Sequence, residues 1–268
     1  MSARDVGVVL DVEVQASTEI EMQIAAARGD GVGVGESLEV TLDGERVAAE
    51  ELVDGLGARI HRVRVAPGRL EISYRATVEG VGVPRPVSAH DRSLYRRPSR
   101  YAESDRFFAL AGAQFDQGKT AGALVDDVVA FVSSRLRYVS GISDASDSAI
   151  DTLLEGAGVC RDYAHLTIAM LRALGIPARL AAVYAPGLSP MDFHAVVEAA
   201  VDDEWVVVDA THLAPRQALV RIATGRDAAD TAFLDSHGGS IVLNSATVVA
   251  TVRGDLPSDD GTQRVRLS

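Results

Sequence analysis

Residues 156–174 constrain the fold more than any other stretch of the chain. Gly156-Ala157-Gly158-Val159 leads into Cys160-Arg-Asp-Tyr-Ala-His165-Leu-Thr-Ile-Ala-Met170-Leu-Arg-Ala-Leu174, a glycine-broken loop followed by apolar residues at helical spacing. Gly175-Ile176-Pro177 then supplies a C-cap glycine and a stop, so the predicted helix ends there. The only cysteine falls where loop and helix meet. Unpaired N–H groups and the positive end of a helix dipole favour a thiolate at such a junction. A single cysteine on its own is more often a small buried hydrophobe. The residues downstream decide between the two readings.

Residues 178–185 read as a strand, and two β-rich runs follow, 193–201 and 204–210, flanking Asp202-Asp203. That composition and spacing predict an antiparallel hairpin. With the two aspartates as the turn, Val201 faces Glu204, Val196 faces Asp209 and His194 faces Thr211. His194 and Asp209 are then diagonal neighbours on one face, with Cβ atoms roughly 7 Å apart. A four-residue loop keeps that register, whereas a three-residue loop puts the two side chains on opposite faces. Alone, His194 reads as a satisfied sheet histidine and Asp209 as a strand-end turn residue. Thiol-dependent acyl transfer needs a nucleophile, a base that shares its proton and a carboxylate that sets the tautomer of the base. Cys160, His194 and Asp209 supply the three in that order.

A metal centre fits these residues poorly. Cys160 and His165 lie five apart, about 500° of helical rotation, and do not share a face. Neither a Cys-x-x-Cys nor a His-x-x-x-His pair is present, so His194, Asp209, His212 and His237 are not read as ligands. His165 is expected to pack within its helix, and no metal or cofactor is expected.

Gly158-Val159-Cys160-Arg161-Asp162, the helix ending Leu171-Arg-Ala-Leu-Gly-Ile-Pro-Ala-Arg179, then His194-Ala195 and Asp209-Ala210-Thr211 resemble the bacterial transglutaminase-like proteins. Pro98-Ser99-Arg100-Tyr101 with Ser104-Asp105, and Gly225-Arg226-Asp227, are similar to segments those proteins carry before and after the core. The resemblance implies a papain-like α+β core whose Cys/His/Asp triad falls on Cys160, His194 and Asp209. Val196, Ala210 and Ala228 depart from the residues that family often places there. The implied activity is acyl transfer or hydrolysis at a carboxamide, a glutamine side chain or a peptide bond, through a covalent acyl-enzyme on a protein or peptide substrate. The alternative is a non-catalytic peptide-binding module on the same fold.

The 268 residues suffice for a large domain or two small ones. Residues 1–88 read as an N-terminal β domain. Val8, Leu10, Val12 and Val14 alternate, as do Ile20, Met22 and Ile24; Leu38, Val40 and Leu42 lead into the turn pair Asp43-Gly44; Leu70, Ile72, Tyr74, Ala76 and Val78 follow Pro67-Gly68. Short strands at this spacing predict an antiparallel β-sandwich. The glycine run at 29–35 is not a phosphate loop, because neither a helix pattern nor a P-loop lysine follows it. Acidic residues interrupt the apolar positions of residues 1–15, which argues for a strand and against a signal peptide.

A proline- and arginine-bearing linker, 84–99, leads into a catalytic core at 89–253. Helices are predicted at 104–114, at about 120–137 with Leu124, Val128, Phe131, Val132 and Leu136 facing inward, and at 147–155 with Ser146 or Asp147 as cap. Residues 212–240 read as polar loop, 240–252 as a final strand buried in or across a sheet, and 254–268 as a mobile tail. A formal charge of −12 argues against nucleic acid or an anionic membrane as partner. A lone cysteine allows no internal disulfide, and a thiol nucleophile suits a reducing compartment, so the cytoplasm is expected.

Overall fold

A computed structural model describes residues 2–267; Met1 and Ser268, the ends of the expected first strand region and tail, lie outside it. The N-terminal strands are β1 (Arg4–Val14), β2 (Thr18–Met22), β3 (Val32–Leu42), β4 (Glu45–Arg46), β5 (Glu50–Val53), β6 (Arg59–Val65) and β7 (Gly68–Gly80). Then come α1 (Ala89–Leu94), α2 (Phe108–Gln114), α3 (Ala121–Arg135), β8 (Arg137–Tyr138), α4 (Ala149–Glu155), β9 (Ala157–Gly158) and α5 (Cys160–Ala173). The chain closes with β10 (Ala178–Tyr184), β11 (Phe193–Val201), β12 (Glu204–Val208), β13 (Val220–Gly225), β14 (Leu234–His237) and β15 (Ile241–Val252).

The first two sheets form a sandwich, in the orders β15-β1-β7-β3-β4 and β14-β2-β6-β5. Period-two alternation is the cause: Leu10, Val12, Leu70 and Ile72 from one sheet and Ile20, Met22 and Val63 from the other are buried in one cluster. Asp43 and Gly44, both at positive φ, close the β3–β4 hairpin. The third sheet, β12-β11-β10-β13, is antiparallel throughout. One face is covered by α5, with α3 and α4 packed on that helix. Leu124, Val128, Val132 and Leu136 are buried there, and Phe131 meets Phe115 edge-on at 5.7 Å. Sandwich and core share apolar side chains, since Tyr184, Val220 and Ile222 belong to the sandwich cluster. The architecture is α+β, a β-sandwich joined to a helix-covered antiparallel sheet.

Several elements differ from expectation. Residues 212–240 contain β13, which completes the third sheet beside β10 and is nearly all buried. The strand expected to lie buried at 240–252 is instead an edge strand: among the described residues β15 pairs with β1 alone, and most of its side chains are exposed. It belongs to the sandwich, as does β14, which pairs with β2, so the terminal β segment assigned to the core returns to the N-terminal sheets. The tail expected to be mobile is pinned. Val265 and Leu267 are buried, the Val207 N–H donates to the Val265 carbonyl at 2.8 Å, and Asp259 pairs with Arg216 at 2.8 Å. Two buried apolar residues and the ion pairs of Asp259, Arg264 and Arg266 anchor the segment. The predicted 104–114 helix is a 3-10 turn at Ser104–Arg106 followed by α2, and the cap of α4 is Ser148, boxed with Asp151. The short helix α1, capped by Ser88, falls in the expected linker.

Candidate active site

Cys160 is the first residue of α5 and is partly exposed. Its loop is tied down on both sides. The Val159 N–H donates to Asp162 Oδ2 at 2.8 Å, so an acidic side chain in the first turn caps the helix start. Arg161 reaches the other way, donating to Ser143 Oγ at 2.7 Å and to the Asp144 carbonyl, and thereby holds the 139–148 loop beside the thiol. At the far end Gly175, at φ 77°, closes a Schellman-type cap: its N–H donates to the Arg172 carbonyl and that of Ile176 to the Leu171 carbonyl, both at 2.9 Å.

The hairpin has the predicted register, with Val201 opposite Glu204 and Val197 opposite Val208. Asp202 and Asp203 both take positive φ, 49° and 66°, as a two-residue type I′ turn requires. His194 and Asp209 therefore share a face, and His194 Nε2 lies 2.7 Å from Asp209 Oδ2. A carboxylate only accepts, so Nε2 is the donor. The other oxygen, Asp209 Oδ1, accepts from the Thr211 N–H at 2.8 Å and the Thr211 hydroxyl at 2.7 Å. Both lone-pair faces of the buried carboxylate are thus occupied, which fixes its plane.

Burial by itself would push the His194 imidazole down. The Asp209 charge and hydrogen bond, reinforced by Cys160, outweigh it and raise His194 to about 10. Burial would push Asp209 up, yet His194 and Thr211 hold it below the usual carboxylate value. His194 Nδ1, the nitrogen left for the thiol, is buried without a fully formed hydrogen bond. Cys160 lies near enough to the ring to act on it electrostatically.

The other histidines sit elsewhere. His165 is fully buried, stacked on Tyr101 with centroids 5.2 Å apart, and its Nε2 accepts from the Ala228 N–H at 3.2 Å. Burial pushes it well below 6.5, which suits a neutral acceptor. His212, 3.3 Å from Ser133 Oγ, flanks the Asp209 loop, and His237 faces Glu21 on the sandwich. Among the described residues no three His, Cys, Asp or Glu side chains gather as a metal-binding group, and no helix is long and apolar enough to cross a membrane. Thr211 and Asp162 escaped sequence reasoning as positioning residues. Their signals were an Asp-x-Thr pattern that closes on itself and an acid in the first turn of a helix.

A thiol at a helix start, facing an imidazole oriented by a buried carboxylate across an antiparallel hairpin, defines a papain-like cysteine-centred α+β core. The transglutaminase-like superfamily model matches residues 109–210. The crystal structure of a candidate cysteine protease from Cytophaga hutchinsonii is 32% identical, with a TM-score of 0.86, over 96% of this chain and 92% of that one. An uncharacterised protein, ML0607, from Mycobacterium leprae is 31% identical over 88 residues, 33% of this chain. The match spans about a third (32%) of that curated relative's length. The chain belongs to the transglutaminase-like superfamily.

Proposed function

We propose that Cys160, His194 and Asp209 form a catalytic triad for thiol-dependent acyl transfer at a carboxamide. The observation that carries this reading is the buried 2.7 Å His194–Asp209 pair whose remaining ring nitrogen is left for a cysteine at the start of α5. Cys160 sulfur adds to the carbonyl carbon, His194 gives its proton to the departing amine, and the C–N bond breaks to leave a thioester. A water molecule or an amine, deprotonated by His194, then attacks the thioester and regenerates the thiol. Asp209 stays ionised and holds the ring.

Hydrolysis of a peptide bond in a protein or peptide is the favoured outcome, since the Cytophaga neighbour is described as a candidate cysteine protease. Transfer to an amine from a glutamine side chain is the other outcome of the same acyl-enzyme. A partly exposed nucleophilic thiol keeps its function only when reduced, and the cytoplasm is the proposed compartment.

The test is acyl-enzyme formation followed by mass spectrometry with amide and activated-ester donors. Cys160→Ala and His194→Ala should each abolish nearly all chemistry, and the double variant should lose little more. Asp209→Asn should keep more activity than His194→Ala, because it spoils orientation and tautomer but leaves a base in place. If folded wild type binds peptide yet forms no adduct with any donor, the protein is a binding module. If His194→Ala forms adducts at the wild-type rate, the base lies elsewhere.

A further inference from the structure

A strand at the end of a sheet leaves every second N–H and C=O without a ladder partner, and proteins keep such edges short, charged or covered. Most edges of this molecule obey that rule. β4 is two charged residues, and the four-residue β14 and β5 carry Asp235 with His237 and Glu50 with Glu51. β3, left open where β4 stops, carries Glu36 and Glu39, the first turned onto buried Arg59. β12 is bridged at Glu204 by Pro86 and at Val207 by Val265, and β13 accepts from the Ala27 N–H at the Arg221 carbonyl. β15 is different. Its twelve residues, 241–252, include no charge and no proline, and among the described residues its outer edge pairs with no strand.

The direction of its backbone groups follows from one bond. The Arg253 N–H donates to the Ala3 carbonyl at 2.8 Å, next to the Arg4–Val252 pair of the β1 ladder. Direction alternates along a strand, so Thr247, Val249 and Thr251 bond to β1 as Arg253 does. Ala246, Val248, Ala250 and Val252 turn their N–H and C=O outward, two groups each. The regular run stops at Asn244, the bulged residue between Leu243 and Ser245. Side chains alternate too: Val248 and Ala250 are buried in the sandwich, while Val249 is 46% exposed on the outer face with Thr247 and Thr251.

We propose that β15 is a homodimer interface: a second copy of the chain adds its own β15 antiparallel, and the two five-stranded sheets become one. Faces must match across the seam, so the two-fold axis passes through a residue and not between two. An axis at Val249 satisfies every outward group, because Val248 then pairs with Ala250 and Ala246 with Val252, each pair twice. An axis at Val248 sends Val252 onto the bulged Asn244 and leaves its groups unpaired. With the axis at Val249, that residue meets its own copy on the outer face and Thr247 meets Thr251, β-branched pairs that favour a sheet. Charge permits this occupant. A net charge of −12 opposes self-association in general, yet this seam sets no charged side chain against another, and the flanking Asp5–Arg253 pair, at 2.8 Å, is neutral in itself. A second copy is favoured over a foreign strand because it brings the same uncharged run in the register that closes all the bonds.

Solution mass tests the pairing. Light scattering on the intact protein from about 10 µM to about 1 mM should show the mass rise toward twice that of the monomer. Val249→Glu sets a carboxylate against its own copy at the axis and should raise the dissociation constant of the dimer at least about tenfold. Cysteines read the register. In a Cys160→Ala background, Val249→Cys should close an intermolecular disulfide under mild oxidation, because non-hydrogen-bonded partners have Cα atoms about 4.5 Å apart. Thr247→Cys should not, since its two copies lie four positions apart, about 13 Å. A wild type that stays monomeric throughout overturns the proposal, as does a Val249→Glu dimer as tight as wild type. Faster cross-linking at 247 than at 249 overturns the register and the pairing that depends on it.

Discussion

Glu198→Gln probes the strand that carries the histidine. Glu198, on β11 with His194, is 1% exposed and holds two guanidinium groups, Arg179 at 2.8 Å and Arg221 through two contacts of 2.8 Å. Arg179 in turn lies over the Trp205 ring at 3.9 Å. Burial would push the Glu198 carboxyl up; the charges of Arg221 and Arg179 outweigh it and lower it from 4.5 to about 2. That difference corresponds to about 3 kcal/mol. The amide keeps the shape but leaves two buried cations short of an anion, and breaking a buried pair costs about 3–5 kcal/mol by mutational precedent. The two routes agree. At pH 7 the variant should be less stable by about 3 kcal/mol in urea titrations, or roughly 6–12 °C in Tm. Because the folded value is depressed, the contribution is present above pH 4.5 and lost as pH falls through about 2. The gap between wild type and variant should narrow to about half by pH 3. A gap under about 1 kcal/mol at pH 7, or one that does not change with pH, would refute this account of the strand's anchorage.

Two further perturbations act nearer the thiol. The raised His194 contributes stability below 6.5 that is lost as pH rises through about 10, so wild type should lose about 2 kcal/mol more than His194→Ala between pH 7 and 9; parallel curves in urea titrations would contradict the ion-pair description. A Cβ at Gly158 would sit 2.7 Å from Asp162 Cβ and 2.8 Å from its Oδ2, displacing the carboxylate that caps Val159. Gly158→Ala should cost about 1–3 kcal/mol and slow alkylation of Cys160, and a variant that matches wild type in both would show the cap to be dispensable.

The local geometry of the candidate site was more legible than the outer fold, for a physical reason. Helix start, helix stop and hairpin turn are local: Gly175 needs positive φ, Asp202 and Asp203 both tolerate it, and together they set the registers that bring His194 onto Asp209. Alternation likewise marked β1, β2 and β7 as sandwich strands. What a strand pairs with is not local. β13 is buried on nearly its whole length, so Val220–Thr224 shows little alternation to mark it, and β15 lies on an edge that only the presence of β1 defines. Val265 and Leu267 looked like isolated apolar residues in a polar tail because their partners, Val207 and the face around Leu219, come from elsewhere in the chain.

The motif segments outside the triad acquire their meaning only in three dimensions, through Arg172. Its Nε donates to the Ala178 carbonyl at 2.9 Å, one terminal nitrogen to the Arg97 carbonyl at 3.0 Å and Ser99 Oγ at 2.9 Å, and the other to the Arg226 carbonyl at 2.6 Å. Asp227 completes the cluster by accepting from the Tyr101 N–H at 2.8 Å, and Ala228 donates to His165. The segments before and after the core are thereby laced to the back of α5, the helix whose first residue is the thiol. A planar guanidinium with five donors can join three chain segments at once; lysine has neither the reach nor the geometry. These residues lie at the back of α5, away from Cys160. They orient α5 against β10 and β11, and through it the distance between Cys160 and the ring it faces.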